Sequence, residues 1–168
     1  MSLKPKGFTL PAPTTGFESF LKILKSFPRE KFLAYGYDRH GRDGNVVYKP
    51  FSREGFLEDF AACKAVMATA GFTLMTEAFY LRKPYLALPM RGQFEQELNA
   101  HWLAKLNNGI NLRRIRSEAV GNFLYLVPDF KVHLNDYRAV DNTAIKDKLG
   151  ELLADNCALA RGYHRLRK

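Results

Sequence analysis

The sequence has little of what marks a secreted, membrane-spanning or metal-rich protein. Its 168 residues include two cysteines, Cys63 and Cys157, whose separation fits neither a disulfide framework nor a metal-binding motif. The most apolar stretch, residues 65–76, is shorter than the roughly 20 residues that cross a bilayer. The first residues are basic and are followed by prolines and threonines instead of the apolar run of a signal peptide. We therefore expect a reduced, cytoplasmic protein.

The charge is strongly of one sign, although no long basic run is present. The formal net charge is +9, with short basic clusters at residues 113–116 and 161–168. Such an excess suits a polyanionic partner (nucleic acid, an anionic membrane face or a phosphorylated substrate), or it is simply a solvated basic surface. The length and the hydrophobic fraction of 46% are those of an ordinary globular protein, and we expect one domain over residues 1–168.

Short apolar runs alternate with helical patterns along the first 110 residues. The predicted strands are residues 8–10, 31–37, 46–48, 65–69 and 84–89, with a polar turn at residues 38–44. The predicted helices are residues 17–27, a helix capped by Ser52, and residues 71–81, 94–106, 117–127 and 142–155. This alternation predicts a three-layer α/β/α Rossmann-like domain with a mostly parallel, doubly wound sheet.

Helical spacing also predicts which side chains are buried. In the helix capped by Ser52, the residues expected to face inward are Phe56, Leu57 and Phe60. In the helix over residues 94–106, the residues expected to face inward are Phe94, Leu98, Trp102 and Leu106.

The segment Thr69-Ala70-Gly71 lies where a predicted strand meets a predicted helix. The carboxyl ends of strands in open α/β sheets are where ligands bind. Gly71 would let the backbone approach a ligand closely, and the N–H groups of the next residues would favour a phosphate. The alternative is that Gly71 only relieves a tight turn.

Glu77 lies six residues beyond Gly71, roughly 9 Å along the helix axis at 1.5 Å per residue. Its helix is apolar almost all round, which predicts burial between the sheet and its neighbours, and a buried carboxylate needs a partner. With a nucleotide diphosphate at the helix N-terminus, Glu77 could accept hydrogen bonds from both ribose hydroxyls. The alternative is an ion pair with Arg82 or Lys83.

Glu95 and Gln96 open the helix that follows the next strand. An adjacent carboxylate and amide supply several acceptors and two donors, which suits the hydroxyls of a sugar. The alternative is that Glu95 only interacts favourably with the helix dipole.

The ordered segments AG-x(5)-E-A, KP-x(4)-P and G-Q-x-E-Q-x-x-N-A, within residues 70–100, resemble the donor-binding signature of GT-B glycosyltransferases. The similarity extends over roughly residues 30–110. The similar members of this family include the enzyme that adds N-acetylglucosamine to the peptidoglycan lipid precursor and a group of uncharacterised bacterial and archaeal transferases. Glu95 stands where the peptidoglycan enzyme has an amide, which argues against N-acetylglucosamine as the donor sugar.

The resemblance implies a role for each matched segment. Gly71, Phe72 and Thr73 would offer backbone N–H groups to the donor diphosphate, and Glu77 would hold the ribose. Glu95 and Gln96 would hold the transferred sugar.

Two further segments receive roles from the same resemblance. Residues 50–52, with Phe51 and Ser52, would grip the base, largely through backbone atoms. The loop over residues 11–16 would face the acceptor half of the enzyme and touch the phosphates.

The implied protein is the C-terminal half of a two-domain enzyme that transfers a sugar from a nucleoside diphosphate donor, with UDP favoured, to an acceptor hydroxyl. Its partners would be the nucleotide sugar and an N-terminal acceptor domain absent from this sequence. The full enzyme would be cytoplasmic or peripheral at the inner membrane face. Neither a cofactor nor a metal is expected, no residue is an obvious catalytic base, and this chain alone is expected to be inactive.

Two other functions are compatible with the sequence. UDP-sugar 2-epimerases share this architecture and a similar ribose-binding glutamate. A basic nucleic-acid-binding module would explain the charge of +9 but would need aromatic residues interleaved with Lys and Arg on one surface. Most phenylalanines lie instead on predicted core-facing positions, so nucleic acid is not an expected partner.

Overall fold

A computed structural model describes residues 8–10, 17–37, 39–50, 52–137 and 142–154. The chain divides into two compact units, Met1–Tyr137 and Arg138–Lys168.

Seven strands of the first unit form one sheet in these described ranges. They are β1 (Phe8–Leu10), β2 (Phe32–Tyr35), β3 (Gly41–Asp43), β4 (Val46–Lys49), β5 (Ala65–Ala68), β6 (Tyr85–Ala87) and β7 (Gly109–Asn111). Their order across the sheet is β3-β4-β2-β1-β5-β6-β7, and every neighbouring pair is parallel except β3 with β4. The chain winds outward from β1 to β4 and then returns to β5 on the other side of β1, so the sheet is doubly wound as predicted.

Helices cover both faces of this sheet. They are α1 (Phe17–Lys25), α2 (Arg53–Ala62), α3 (Phe72–Tyr80), α4 (Phe94–Lys105) and α5 (Ser117–Asn135). Successive strand residues point to opposite faces: Met67 packs in a cluster with residues of α1 and α5, whereas Val66 packs with residues of α2, α3 and α4. The predicted three-layer α/β/α architecture is therefore confirmed.

Two short strands were not predicted from the sequence. The predicted polar turn at residues 38–44 contains β3, which pairs antiparallel with β4. Strand β7 has only three residues and begins at Gly109. A Cβ at Gly109 would lie 1.8 Å from the carbonyl oxygen of Tyr85, so only glycine allows the backbone of β7 to approach β6 this closely.

Helix α5 continues well past the end predicted at Val127. Pro128 lies inside it, lacks an N–H donor and normally interrupts a helix. The helix nevertheless reaches Asn135, because Phe130 and Leu134 are buried beyond the proline. Tertiary packing outweighs the lost hydrogen bond.

The predicted buried faces of two helices are partly wrong. In α4 and its C-cap, all four residues that were expected to face inward are exposed. The exposed fractions are 78% for Phe94, 42% for Leu98, 46% for Trp102 and 52% for Leu106. The buried residues of α4 are Ala100 and Leu103, whose smaller combined size weakened their signal in the sequence. In α2, Phe60 is buried as predicted, but Leu57 is exposed.

The second unit contains helix α6 (Thr143–Ala154), close to the range predicted from the sequence. An exposed ion pair between Lys148 and Glu151 joins successive turns of this helix. None of the helices in the described residues is both long enough and apolar enough to span a bilayer.

Candidate functional site

The order of the strands marks where a ligand would bind. The strand order reverses between β1 and β5, and the crevice at the carboxyl ends of such strands is the usual ligand site of doubly wound sheets. Strand β5 ends at Ala68, and α3 begins at Phe72 after a three-residue turn. The turn that contains Gly71 therefore lies at this switch point.

The conformation of Gly71 does not require a glycine. Its φ is −67° and its ψ is 131°, values that any residue adopts. A Cβ built on Gly71 meets nothing within 4 Å. The alternative that Gly71 relieves a tight turn is therefore unsupported, and the described residues provide no reason for a glycine here.

Within the described ranges, the first turn of α3 is exposed at Phe72 and Thr73. Gly71 is the N-cap and supplies no side-chain hydrogen bond to the first turn. The first N–H groups of a helix, here those of Phe72 and Thr73, have no partner within the helix and carry its positive end. This arrangement can hold an anion such as a phosphate.

Two side chains hold the backbone of this turn. The Nδ2 of Asn99 donates to the carbonyl of Ala70 at 3.0 Å, and the hydroxyl of Tyr85 donates to the carbonyl of Thr69 at 2.6 Å. Burial raises the pKa of Tyr85 well above its usual value, so the hydroxyl remains a protonated donor. Sequence reasoning gave neither residue a role, although Asn99 belongs to the quoted motif.

Glu77 is exposed on α3 and not buried as the apolar pattern predicted. The outward face of α3 also carries Phe72, which is 62% exposed, and Tyr80, which is 70% exposed. Glu77 lines a groove of about 390 Å³ between α2 and α3. The other residues that line the groove are Leu57, Phe60, Thr76, Tyr80 and Leu81.

The alternative partners of Glu77 are not used. In the described part of the chain, Glu77 forms no ion pair with Arg82 or Lys83. The Nζ of Lys83 instead donates to the carbonyls of Ala61 and Cys63, at 2.7 and 2.9 Å, at the end of α2. Burial lowers the pKa of Lys83. The carboxylate of Glu77 thus remains available to a molecule in the groove.

Ser52 is the N-cap of α2, as predicted, and Phe51 lies outside the described residues. The Ser52 hydroxyl accepts from the N–H of Gly55 at 3.2 Å, and its carbonyl accepts from the N–H of Phe56 at 2.8 Å. The hydroxyl also donates to the carboxylate of Glu54 at 3.4 Å, so the backbone N–H is the donor of Ser52 that a ligand can engage.

A buried polar cluster holds the first turn of α2 against the sheet. Asp59 is 2% exposed, accepts from the hydroxyl of Tyr35 at 2.5 Å and pairs with Lys49. The Tyr35 hydroxyl also donates to the carbonyl of Gly55 at 3.2 Å. Burial, followed by the hydrogen bond to Asp59, raises the pKa of Tyr35. No sequence pattern separated Asp59 from the exposed acidic residues of the same helix.

Glu95 and Gln96 differ in the hydrogen bonds that they make within the described residues. Glu95 is exposed in the first turn of α4 and makes no hydrogen bond within the described ranges. Gln96 accepts from the N–H of Met90 at 3.1 Å and donates to Oε1 of Gln93 at 2.7 Å, so it fixes the loop after β6. One N–H and one lone pair of its amide remain for a ligand.

No general base stands out among the histidines. His40, His101 and His133 are exposed and lie on a loop, on α4 and on α5, whereas His164 lies outside the described residues. The described residues also contain no group of three His, Cys, Asp or Glu side chains that could hold a metal ion.

Comparison with protein families identifies the class of protein. The model of glycosyl transferase family 1 matches residues 9–128, which is more than half of the chain. The chain therefore belongs to glycosyl transferase family 1. No curated protein sequence matches it.

Solved GT-B glycosyltransferases share the fold. The spinosyn forosaminyltransferase SpnP matches with a TM-score of 0.65 and 17% identity, over 91% of this chain and 45% of its own. The spinosyn rhamnosyltransferase SpnG matches with a TM-score of 0.61 and 16% identity, over 79% of this chain and 40% of its own. Os79 from O. sativa, solved with UDP and deoxynivalenol-3-glucoside, matches with a TM-score of 0.60 and 16% identity, over 77% of this chain and 36% of its own. The chain spans less than half the length of each.

Proposed function

We propose that residues 1–168 form the donor-binding part of a glycosyltransferase that moves a sugar from a nucleoside diphosphate, with UDP favoured, to an acceptor hydroxyl. The observation that carries this proposal is the open N-terminus of α3 behind Gly71, at the switch point of the sheet. Family membership supports the class of reaction. The presence of UDP in Os79 supports the choice of base.

The proposed donor lies along the carboxyl edge of the sheet. Its diphosphate would be bound by the backbone N–H groups of Gly71, Phe72 and Thr73, and its ribose by the carboxylate of Glu77. The exposed position of Glu77 beside the groove between α2 and α3 supports this assignment, because the groove leaves room for a ligand.

The base and the sugar would lie at the two ends of this site. The N–H of Ser52, together with Phe51, would contact the base. Glu95, which has no partner in the described residues, would accept hydrogen bonds from hydroxyls of the transferred sugar, and Gln96 would add its remaining N–H. The narrower resemblance to the peptidoglycan N-acetylglucosamine transferase stays a prediction.

The contribution of this chain to catalysis would be electrostatic. Breaking the bond between the sugar and the diphosphate leaves additional negative charge on the leaving group. The N–H groups and the positive end of α3 would stabilise that charge without a change in their geometry. We propose that the acceptor site and the base that activates the acceptor hydroxyl come from a second, N-terminal domain, and that the full enzyme works in the cytoplasm or at the inner membrane face.

Calorimetric titration with UDP, UDP-sugars, GDP and dTDP tests the proposal. We expect saturable binding of one nucleotide and roughly tenfold weaker binding by a Glu77→Ala variant, because a hydrogen bond to a charged group contributes about 1.5–3 kcal/mol. Glu118→Ala is the matched control, since Glu118 is an exposed carboxylate in the first turn of α5. Absence of binding by every nucleotide, or equal losses in the two variants, would contradict the assignment of the donor site.

A further inference from the structure

A second cavity lies beside the proposed donor site, at the carboxyl ends of β6 and β7. Its volume is about 280 Å³, and its lining includes Arg91 from the loop after β6 together with Arg113 and Arg114 from the segment after β7. The other lining residues are Pro89, Glu97 and Asn111. We call this cavity the arginine pocket. Among the described lining residues, the charged side chains carry three positive charges and one negative charge.

The three guanidinium groups have no charged partner in the described residues. None of Arg91, Arg113 and Arg114 forms an ion pair or a hydrogen bond there, and Glu97 is not within 4.0 Å of any of them. Bringing like charges to one cavity is unfavourable unless an anion neutralises them. Arginine presents planar, paired N–H donors that match the oxygens of a carboxylate or phosphate.

Asn111 adds an unsatisfied acceptor to the same cavity. Its Oδ1 is buried and has no hydrogen-bond partner in the part of the chain that the structure describes. Buried acceptors of this kind normally have a partner, and Asn111 is one of the residues that line the cavity. An anion alone offers no donor to this oxygen, whereas a hydroxyl group on the same ligand does.

The pocket is held by the sheet. Ala87 at the end of β6 pairs with Asn111 at the end of β7, and the N–H of Leu112 donates to the carbonyl of Ala87 at 2.9 Å. These contacts hold the backbone of Asn111 and Leu112 against β6, and Arg113 and Arg114 follow directly.

We propose that the arginine pocket binds a carboxylate or phosphate group carried by a hydroxylated molecule, such as a sugar acid or a sugar phosphate. The guanidinium groups of Arg91, Arg113 and Arg114 bind the anion, and Oδ1 of Asn111 accepts a hydrogen bond from a hydroxyl of the ligand. This site does not depend on the proposed donor site, since none of its lining residues belongs to the diphosphate or ribose contacts.

Titration of the full 168-residue chain with four small probes at low salt tests the pocket. The probes are glucuronate, glucose 6-phosphate, inorganic phosphate and uncharged glucose, each followed by NMR or calorimetry up to roughly 20 mM. We expect glucuronate or glucose 6-phosphate to bind more tightly than inorganic phosphate, and glucose not to bind. Which of the two binds more tightly tells whether the pocket prefers a carboxylate or a phosphate.

Three variants separate a specific site from the general basic charge. The double variant Arg113→Gln/Arg114→Gln should weaken the preferred probe by at least about tenfold, since charge-assisted hydrogen bonds are lost. Arg116→Gln changes the charge of the same segment outside the pocket, and it should leave the affinity within about twofold when the titration is repeated at about 0.15 M salt, where distant charges are screened. Asn111→Ala should weaken the preferred probe several-fold without changing the binding of inorganic phosphate.

The proposal is overturned if no anion binds to the wild-type chain over this range, or if Arg116→Gln reduces affinity as much as the double variant does. Equal binding of inorganic phosphate and both hydroxylated anions, unaffected by Asn111→Ala, would also overturn it, because the hydroxyl would then contribute nothing. The four arginines are exposed, and circular dichroism of each variant checks that it is folded.

Discussion

Substitution of Gly71 distinguishes a requirement for folding from a requirement for ligand binding. A methyl group there meets nothing within 4 Å, and the backbone angles suit alanine. In a Gly71→Ala variant, alanine is a poorer N-cap and destabilises the fold, whereas it restricts the unfolded chain and so stabilises the fold. Because these effects oppose each other, we expect the free energy of unfolding to change by less than about 1 kcal/mol. Nucleotide affinity should fall by about tenfold, because the methyl group projects where the diphosphate would lie.

Urea unfolding and calorimetry of the same Gly71→Ala preparation provide the two measurements. Gly150→Ala is the control: Gly150 also has open space around it but lies in α6, and its substitution should leave nucleotide affinity unchanged. Unchanged affinity in Gly71→Ala would show that no ligand approaches the backbone at this turn.

Single-residue roles were predictable only where the signal is local. The strand-to-helix junction at Gly71 and the N-cap at Ser52 can be located from neighbouring residues alone. Asn99 and Tyr85 act on carbonyl groups 29 and 16 residues away, so their contacts depend on the packing of separate elements. The exposure of Glu77 was mispredicted because an apolar helix need not be covered on every side.

At the scale of elements, α4 offers a direct test of which face supports the fold. Leu103 is 1% exposed and packs in the core with α2 and α3, whereas Leu98 is 42% exposed. We expect Leu103→Ala to reduce the free energy of unfolding by about 2–5 kcal/mol, because it opens a cavity in the core. Leu98→Ala should cost about 1 kcal/mol or less, since the surroundings of an exposed side chain are already hydrated.

Chemical denaturation of both variants decides between the two faces of α4. A larger loss for Leu98→Ala than for Leu103→Ala would mean that the apolar stripe of Phe94, Leu98, Trp102 and Leu106 is covered, as its spacing alone suggested. The same cost for both variants would contradict the burial difference.

Most elements were predicted because each has a strong local pattern. The buried strands β2, β5 and β6 are continuous apolar runs, as expected for a parallel sheet covered on both faces. Strand β7 has three residues and starts with a glycine, so it has almost no pattern of its own. The end of α5 depends on the burial of Phe130 and Leu134 against distant residues. Pro128 instead predicted that the helix would end before these residues.

At the scale of the whole molecule, the proposed donor site lies at one edge of the sheet of the first unit. The amides of α3, the groove beside Glu77 and the first turn of α4 all lie on elements that begin at the carboxyl ends of strands. The proposed site would thus bind one substrate, the donor. Among the described residues no base for the second substrate is evident, and the solved glycosyltransferases that share the fold are about twice as long.

We therefore expect the purified 168-residue chain to bind UDP without transferring sugar. Enzymatic transfer needs the acceptor hydroxyl held within attacking distance of the sugar and a base to accept its proton, and these requirements together contribute several orders of magnitude to the rate. The measurement is UDP release from UDP-sugars, with and without a panel of hydroxyl acceptors, on a preparation whose UDP binding is confirmed by calorimetry. Sugar transfer that Glu77→Ala abolishes would contradict this expectation, because the activity would then come from this site. Formation of the 2-epimer of a UDP-sugar without any acceptor, again lost in Glu77→Ala, would instead assign the site to epimerisation.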